Sequence, residues 1–261
     1  MTVVSTTAFQ RAQLEVGGVQ VAVLTAGEGE PLVFLHGADT RLDFDFALGW
    51  SDRFKVVVPF HPGFGPSGDD PSLGSIHDYV MHYLRLFDAL QIGAFHLVGH
   101  GLGGWMAATL ALEHNRRVQR LVLVAPWGLH VPEHLTQDVF RMEQEQLIER
   151  QTEDPVLREQ LTPDPQDVEG TVARYRESVS LARVAWERNY DVKLPRWLHR
   201  ATMPSLLVWG DNDRMVPAAQ SEAWARLLPN ARVRIIPQRG HLVLHESPEV
   251  VTVIGEFLAK P

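Results

Sequence analysis

The sequence predicts an α/β protein: a mostly parallel, twisted sheet with helices on both faces and one helical insertion. Three observations predict it. Short, wholly apolar runs alternate with stretches of helical spacing along most of the chain, which is the pattern of strands buried on both faces by crossover helices. The rhythm fails over residues 130–200, where charged helical stretches follow one another without an apolar strand. With 261 residues, 45% of them hydrophobic, the chain can bury one large core as a single α/β unit. The expected organisation is a core from residues 1–129 and 201–261, with 130–200 inserted as a helical lid.

Residues 14–16 and 19–24 flank Gly17-Gly18 and read as a β-hairpin. Residues 32–35 form an apolar strand that ends at His36-Gly37, and 54–58 form another that ends at Pro59. The following loop, His61-Pro62-Gly63-Phe64-Gly65-Pro66-Ser67-Gly68, holds too much Gly and Pro for helix or strand. Ile76, Val80, Leu84 and Phe87 place a helix over 76–90 by their spacing. Residues 95–98 and 121–125 are further apolar strands. Those over 206–209 and 233–236 complete the series, with a helix over 221–228 between them and a last helix over 250–258. Inside the insertion, 139–150 and 170–190 read as helices joined by Thr152-Glu153-Asp154-Pro155 and Thr162-Pro163-Asp164-Pro165.

The strand over 95–98 runs into Gly99-His100-Gly101-Leu102-Gly103 and then into a helical stretch. Strand, tight turn and helix, with small residues flanking the turn, is the geometry that presents a nucleophile in the pattern G-x-S-x-G. The centre here is Gly101, so the turn is present and its serine is not. Four other motifs stand in order around it: Phe34-Leu35-His36-Gly37, the His61–Ser67 loop, Trp209-Gly210-Asp211-Asn212-Asp213 with Pro217, and Gly240-His241 with Glu246 and Pro248. Over about 30–128 and 203–258 the chain resembles the α/β-hydrolase superfamily. The resemblance implies the α/β-hydrolase fold and the order nucleophile, acid, histidine, which falls on Gly101, Asp213 and His241. Asp213 would hold the histidine's tautomer and stabilise its imidazolium, although Asp211 fits a turn or cap role as readily as Asp213 does. The resemblance also implies an oxyanion hole built from the backbone N–H groups of Ala38 and Leu102, which need no side chain at 101. His36, Asp39, His100 and Trp127 are the candidates for the substrate pocket. For His36 and His100 the alternative is loop shaping, for Asp39 a helix cap, and for Trp127 and Trp105 the core. Ser67 and His245 are expected to be structural.

Composition excludes several classes. The chain has no cysteine, hence no disulfide, thiolate metal site or cysteine nucleophile. A formal net charge of −8 gives no reason to expect nucleic acid or an anionic membrane. No apolar run approaches the roughly 20 residues of a membrane span. The segment Met1-Thr2-Val3-Val4-Ser5 lacks the features of a signal peptide, so a cytoplasmic protein is expected. Neither metal-ligand spacing nor a phosphate loop occurs, and no metal or cofactor is expected; the expected partner is a small carbonyl-bearing organic substrate. Gly101 then admits three readings. The chain is a hydrolase of esters, amides or C–C bonds inactivated by substitution of its serine. Or the glycine is native and a His241–Asp213 dyad is a general base, acting on water or on a substrate proton in a lyase, isomerase or cofactor-free oxygenase reaction. Such assistance supplies about 10²- to 10⁴-fold. Or the chain is a catalytically dead relative that binds a ligand. The complete histidine–acid pair favours catalysis, and a native glycine is the expectation.

Overall fold

The computed structural model describes residues 8–260, so the N-terminal segment 1–5 read above lies outside the described residues. Strands β1 (Gln10–Val16) and β2 (Val19–Ala26) form an antiparallel hairpin. Its turn is Gly17-Gly18, with φ of 61° and 88°, a conformation that glycine reaches without a steric penalty. β3 (Glu30–Leu35) and β4 (Phe54–Pro59) follow, then helix α1 (Ile76–Ala89), β5 (Phe95–His100), α2 (Gly101–Glu113) and β6 (Val118–Val124). The insertion contains α3 (Gln144–Gln151), α4 (Pro155–Leu161), α5 (Val168–Ala185) and the short α6 (Leu194–Trp197). The chain ends with β7 (Ser205–Gly210), α7 (Gln220–Leu227), β8 (Ala231–Ile236), α8 (Val243–Glu246) and α9 (Pro248–Leu258).

One eight-stranded sheet has the order β1-β2-β4-β3-β5-β6-β7-β8. β2 runs antiparallel to β4, and every pairing from β4 to β8 is parallel. The chain leaves β3 for β4 on one side and returns to place β5 on the other, so the order reverses between β3 and β5. A doubly wound sheet opens its ligand crevice at such a reversal, beyond the carboxyl ends of the strands. His36-Gly37 follows β3 and Gly101 follows β5, so both loops meet at that crevice.

The pleat sends alternate residues to opposite faces. Val33, Leu35, Leu97, Leu121 and Leu123 join one core with Tyr83, Leu86, Met106 and Leu110 of α1 and α2. Leu32, Phe34, Val98, Val122 and Val124 join the other with Trp50, Ile254 and Phe257. Burial of each such side chain contributes about 1.5–3 kcal/mol of transfer free energy. The glycines of the sharp turn from β5 into α2, the elbow, permit the close approach of α2 to the sheet. A Cβ on Gly103 would overlap the carbonyl oxygens of Leu35 and His36, and one on Gly99 would overlap Gly103 and Ala107.

Several sequence expectations shift. β8, read as a buried strand, is the sheet edge: Arg232, Val233, Arg234 and Ile235 are exposed, because among the described residues no strand pairs beyond it and apolar residues here face solvent. The stretch 139–150 divides into a 3₁₀ turn at Val139–Arg141 and α3. Residues 155–161 form a helix instead of a joint: Pro155 fixes its first turn, and the Asp154 carboxylate accepts from the N–H groups of Val156 and Leu157. The second long helix is α5, starting at Val168 with Asp167 as its cap and ending at Ala185.

Candidate active site

The turn from β5 into α2 holds Gly101 at φ 53°, a left-handed conformation costly to side chains. A Cβ built there would stand 3.5 Å from His241 Nε2, 3.8 Å from the Gly37 Cα and 3.8 Å from Trp127 Nε1, with nothing nearer. The elbow is therefore open at the point where a side chain would project, and that point faces an imidazole.

Asp213 and His241 lie on the loops after β7 and β8. Asp213 Oδ1 accepts the backbone N–H of Met215 and of Val216, each at 2.8 Å. Its Oδ2 lies 2.8 Å from His241 Nδ1, and the Asp213 side chain is fully buried. A carboxylate acceptor at Nδ1 places the ring proton there and leaves the Nε2 lone pair turned to Gly101. The histidine loop is held from two sides: Gln151, at the end of α3, accepts from the N–H groups of His241 (3.0 Å) and Leu242 (3.2 Å). Glu246 accepts from the Gly240 N–H at 2.6 Å.

The other candidates divide. His100 Nε2–H donates to the His241 carbonyl at 3.0 Å, and burial holds its pKa well below the ordinary value; it lines the cavity as a neutral ring. His36 accepts the His61 N–H at Nε2 (3.0 Å) and meets the Gly37 carbonyl through Nδ1 (2.7 Å). Burial lowers its pKa to about 4. His36 stacks on His61, whose Nε2–H donates to the His36 carbonyl at 2.8 Å. His36 is absent from the cavity wall and shapes the loop. Asp39 lines the cavity but is engaged by the Arg41 guanidinium and backbone N–H, so the helix-cap alternative does not hold. Trp127 lines the wall, and its backbone N–H donates to the Gly101 carbonyl at 2.9 Å. Ser67 bridges the Phe60 carbonyl and the Ala22 N–H, His245 donates to the Asp43 carbonyl from Nε2, and Asp211 accepts the Arg239 N–H.

Gly101, His241, His100 and Trp127 face a cavity of about 270 Å³. Gly37, Ala38, Gly101, Leu102 and His241 form its floor, and Phe140, Leu147, Leu161, Arg174, Glu177 and Leu181 of the insertion form the opposite wall. Sequence reading missed these insertion residues. Glu177 is buried, accepts from the Thr40 hydroxyl and from the Gly65 N–H (2.8 Å), and its pKa is raised by burial. Arg174, Glu177 and Leu181 recur at helical spacing on one side of α5; that periodicity was the available signal, and their polarity hid it. Among the described residues no group of His, Asp or Glu could hold a metal ion, and no helix is long and apolar enough to cross a membrane.

Residues 30–248 match the family model described as the alpha/beta hydrolase fold. The chain belongs to the α/β-hydrolase family. Among the relatives of this α/β-hydrolase, 2-hydroxy-6-oxo-6-(2'-aminophenyl)hexa-2,4-dienoic acid hydrolase of Metapseudomonas resinovorans is 24% identical over 94% of this chain and 89% of its own. A 2-hydroxy-6-oxo-6-phenylhexa-2,4-dienoate hydrolase of Comamonas testosteroni is 28% identical over 86% of this chain and 85% of its own. Among solved structures, the 2-hydroxy-6-oxo-6-phenylhexa-2,4-dienoate hydrolase of Rhodococcus sp. strain RHA1 superposes with a TM-score of 0.80 at 21% identity, covering 98% of this chain and all of that one. That likeness shows the shared fold.

Proposed function

We propose that this α/β-hydrolase-like enzyme hydrolyses a bond beside a carbonyl without an acyl-enzyme, with His241 and Asp213 activating water directly. The observation that carries this reading is the His241 Nε2 lone pair, directed by Asp213 at an elbow whose residue has no side chain. Nε2 takes one proton from a water, and the water oxygen bonds to the substrate carbonyl carbon. The carbonyl π pair moves to its oxygen, which the N–H groups of Ala38 and Leu102 receive. The tetrahedral centre then expels the leaving atom (oxygen, nitrogen or a stabilised carbon) with its bonding pair. The imidazolium returns the proton to it. The sum is substrate plus water giving an acid and the protonated leaving group.

The relatives direct the choice of substrate to 6-oxo-dienoates. The Arg174 guanidinium on the cavity wall suits the carboxylate of such a molecule, and the insertion serves as the lid that excludes bulk water. Arg174→Gln should raise KM for an anionic substrate about 10- to 100-fold, the scale of one charge-assisted hydrogen bond, and leave a neutral ester nearly unaffected.

The deciding experiment compares the protein, His241→Ala and Gly101→Ser on activated esters and 6-oxo-dienoates. His241-dependent turnover by the native chain, without a burst and without labelling by an organophosphate, is the expected result. A large gain in Gly101→Ser, with a burst and covalent labelling at 101, would instead mark a serine hydrolase deprived of its nucleophile. His241-dependent conversion without water incorporation would mark proton abstraction, and ligand binding without turnover in either form a receptor.

A further inference from the structure

We propose that Trp127 is a catalytic residue: its indole N–H holds the water that His241 activates, in the room a side chain at 101 would fill. The role rests on the hydrolytic reading above and adds a donor to it. Trp127 is 3% exposed, and its Nε1 is buried with no hydrogen-bond partner among the described residues. A buried N–H left alone costs about 1–3 kcal/mol, and other buried indoles here avoid that cost: Trp50 donates to the Val251 carbonyl at 2.8 Å and Trp209 to the Val216 carbonyl at 3.1 Å. Trp105 and Trp224 share the unpartnered state but are not part of this cavity's wall, whereas Trp127 is.

The geometry is specific. The Cβ position of residue 101 lies 3.8 Å from Trp127 Nε1 and 3.5 Å from His241 Nε2. An oxygen atom in that room is within reach of both, and their polarities are complementary. It accepts from the indole, which can only donate, and donates to the Nε2 lone pair. The water's remaining lone pair is then free to meet a carbonyl carbon lying over Ala38 and Leu102. The backbone fixes the indole for this: Ala125 turns the chain after β6 with φ 41°, a conformation uncommon for a residue other than glycine. The backbone N–H of Trp127 is also bonded to the Gly101 carbonyl. As His241 withdraws the proton, negative charge grows on the oxygen that the indole N–H faces, so the bond strengthens toward the transition state.

Two variants test this. Trp127→Phe keeps an aromatic ring and removes the N–H. It should lower kcat about 10- to 100-fold, the scale of one hydrogen bond to a charged group, with KM within about twofold because that bond strengthens only in the transition state. The pH profile should not move, since indole does not titrate. Gly101→Ala puts a methyl group in the room and should lower kcat at least as far, and the double variant should be no worse than Gly101→Ala alone. If Trp127→Phe fails to fold, Gly101→Ala and a high-resolution diffraction structure of the native protein carry the test. That structure should show a water oxygen within about 3.2 Å of both Nε1 and Nε2. Native kcat in Trp127→Phe, a change confined to KM, or no such water overturns the role of Trp127 while His241-dependent hydrolysis stands. If the water is present but no carbonyl substrate is turned over, the hydrolytic reading fails and the catalytic role fails with it.

Discussion

Both carboxylate oxygens of Asp213 are committed, one to two backbone N–H groups and one to His241, and this fixes what a single atom change does. In Asp213→Asn the amide oxygen keeps the two N–H donors, so the NH₂ group is forced toward His241. Nδ1 must then accept, the ring proton moves to Nε2, and the base facing Gly101 is lost. Hydrolysis should fall about 10²- to 10⁴-fold, the scale of general-base catalysis, with thermal stability nearly kept. Steady-state kinetics beside a melting curve separate the two, and an unchanged kcat would remove Asp213 from the mechanism. The two neighbouring elbow glycines behave oppositely. At Gly101 a methyl has room and incurs only the strain of the left-handed backbone at φ 53°, whereas at Gly103 it strikes the carbonyls of Leu35 and His36, which are backbone and cannot swing aside. Gly103→Ala should cost about 3 kcal/mol or more, the upper part of the overpacking range. Urea unfolding checks it, and a loss below 1 kcal/mol would show that α2 can slide off the sheet.

The helical insertion makes the same contrast at the scale of an element. α3 ends where Gln151 holds the N–H groups of His241 and Leu242, and α5 reaches the core through Glu177, bonded to Thr40 and Gly65. The insertion therefore steadies the loops of the site as well as walling the cavity. Burial raises the Glu177 pKa, so between the ordinary glutamate value and the raised one the folded state binds more protons than the unfolded chain. Stability from this group is full below the ordinary value and falls as pH rises through that window. Glu177→Gln keeps an oxygen acceptor and removes the titration. Melting temperatures of the two proteins, taken from pH 4 upward, should converge at the acid end, with the variant relatively more stable at higher pH. Parallel curves would refute the link.

Strands and core helices were legible because burial demands wholly apolar runs or a 3.6-residue stripe, and the His-Gly, elbow and Gly-His segments were legible because tight turns demand small residues. β8 misled because an edge strand carries the apolar residues of a buried one. Glu177 and Arg174 were hidden because a cavity wall built from charged residues looks, in sequence, like a solvated helix face.

For the whole molecule a prominent electrostatic feature is a set of buried and, in His245, half-buried histidines whose charged form is disfavoured. His36, His61, His82, His96, His100 and His245 all have lowered pKa values, in each case chiefly through burial, with His36 and His82 reaching about 4. An unfolded chain takes up protons at these rings near pH 6.5, before the folded one does. Their stability contribution is thus complete above about 6.5 and is lost as pH falls through the lowered values, for His36 and His82 toward about 4. His36 alone contributes on the order of 3 kcal/mol over that interval, a large part of the 5–15 kcal/mol typical of a folded domain. Glu177 acts in the opposite sense, but one carboxylate cannot offset several imidazoles. Unfolding followed by tryptophan fluorescence should therefore show a cooperative acid transition between about pH 4 and 6, far above the pH where carboxylate protonation alone would unfold the chain. His82→Gln, whose ring Nε2 is buried and unpartnered, should move that midpoint to lower pH. A midpoint that stays put in this variant, or a protein still folded at pH 4, would mean that the buried imidazoles do not govern acid stability.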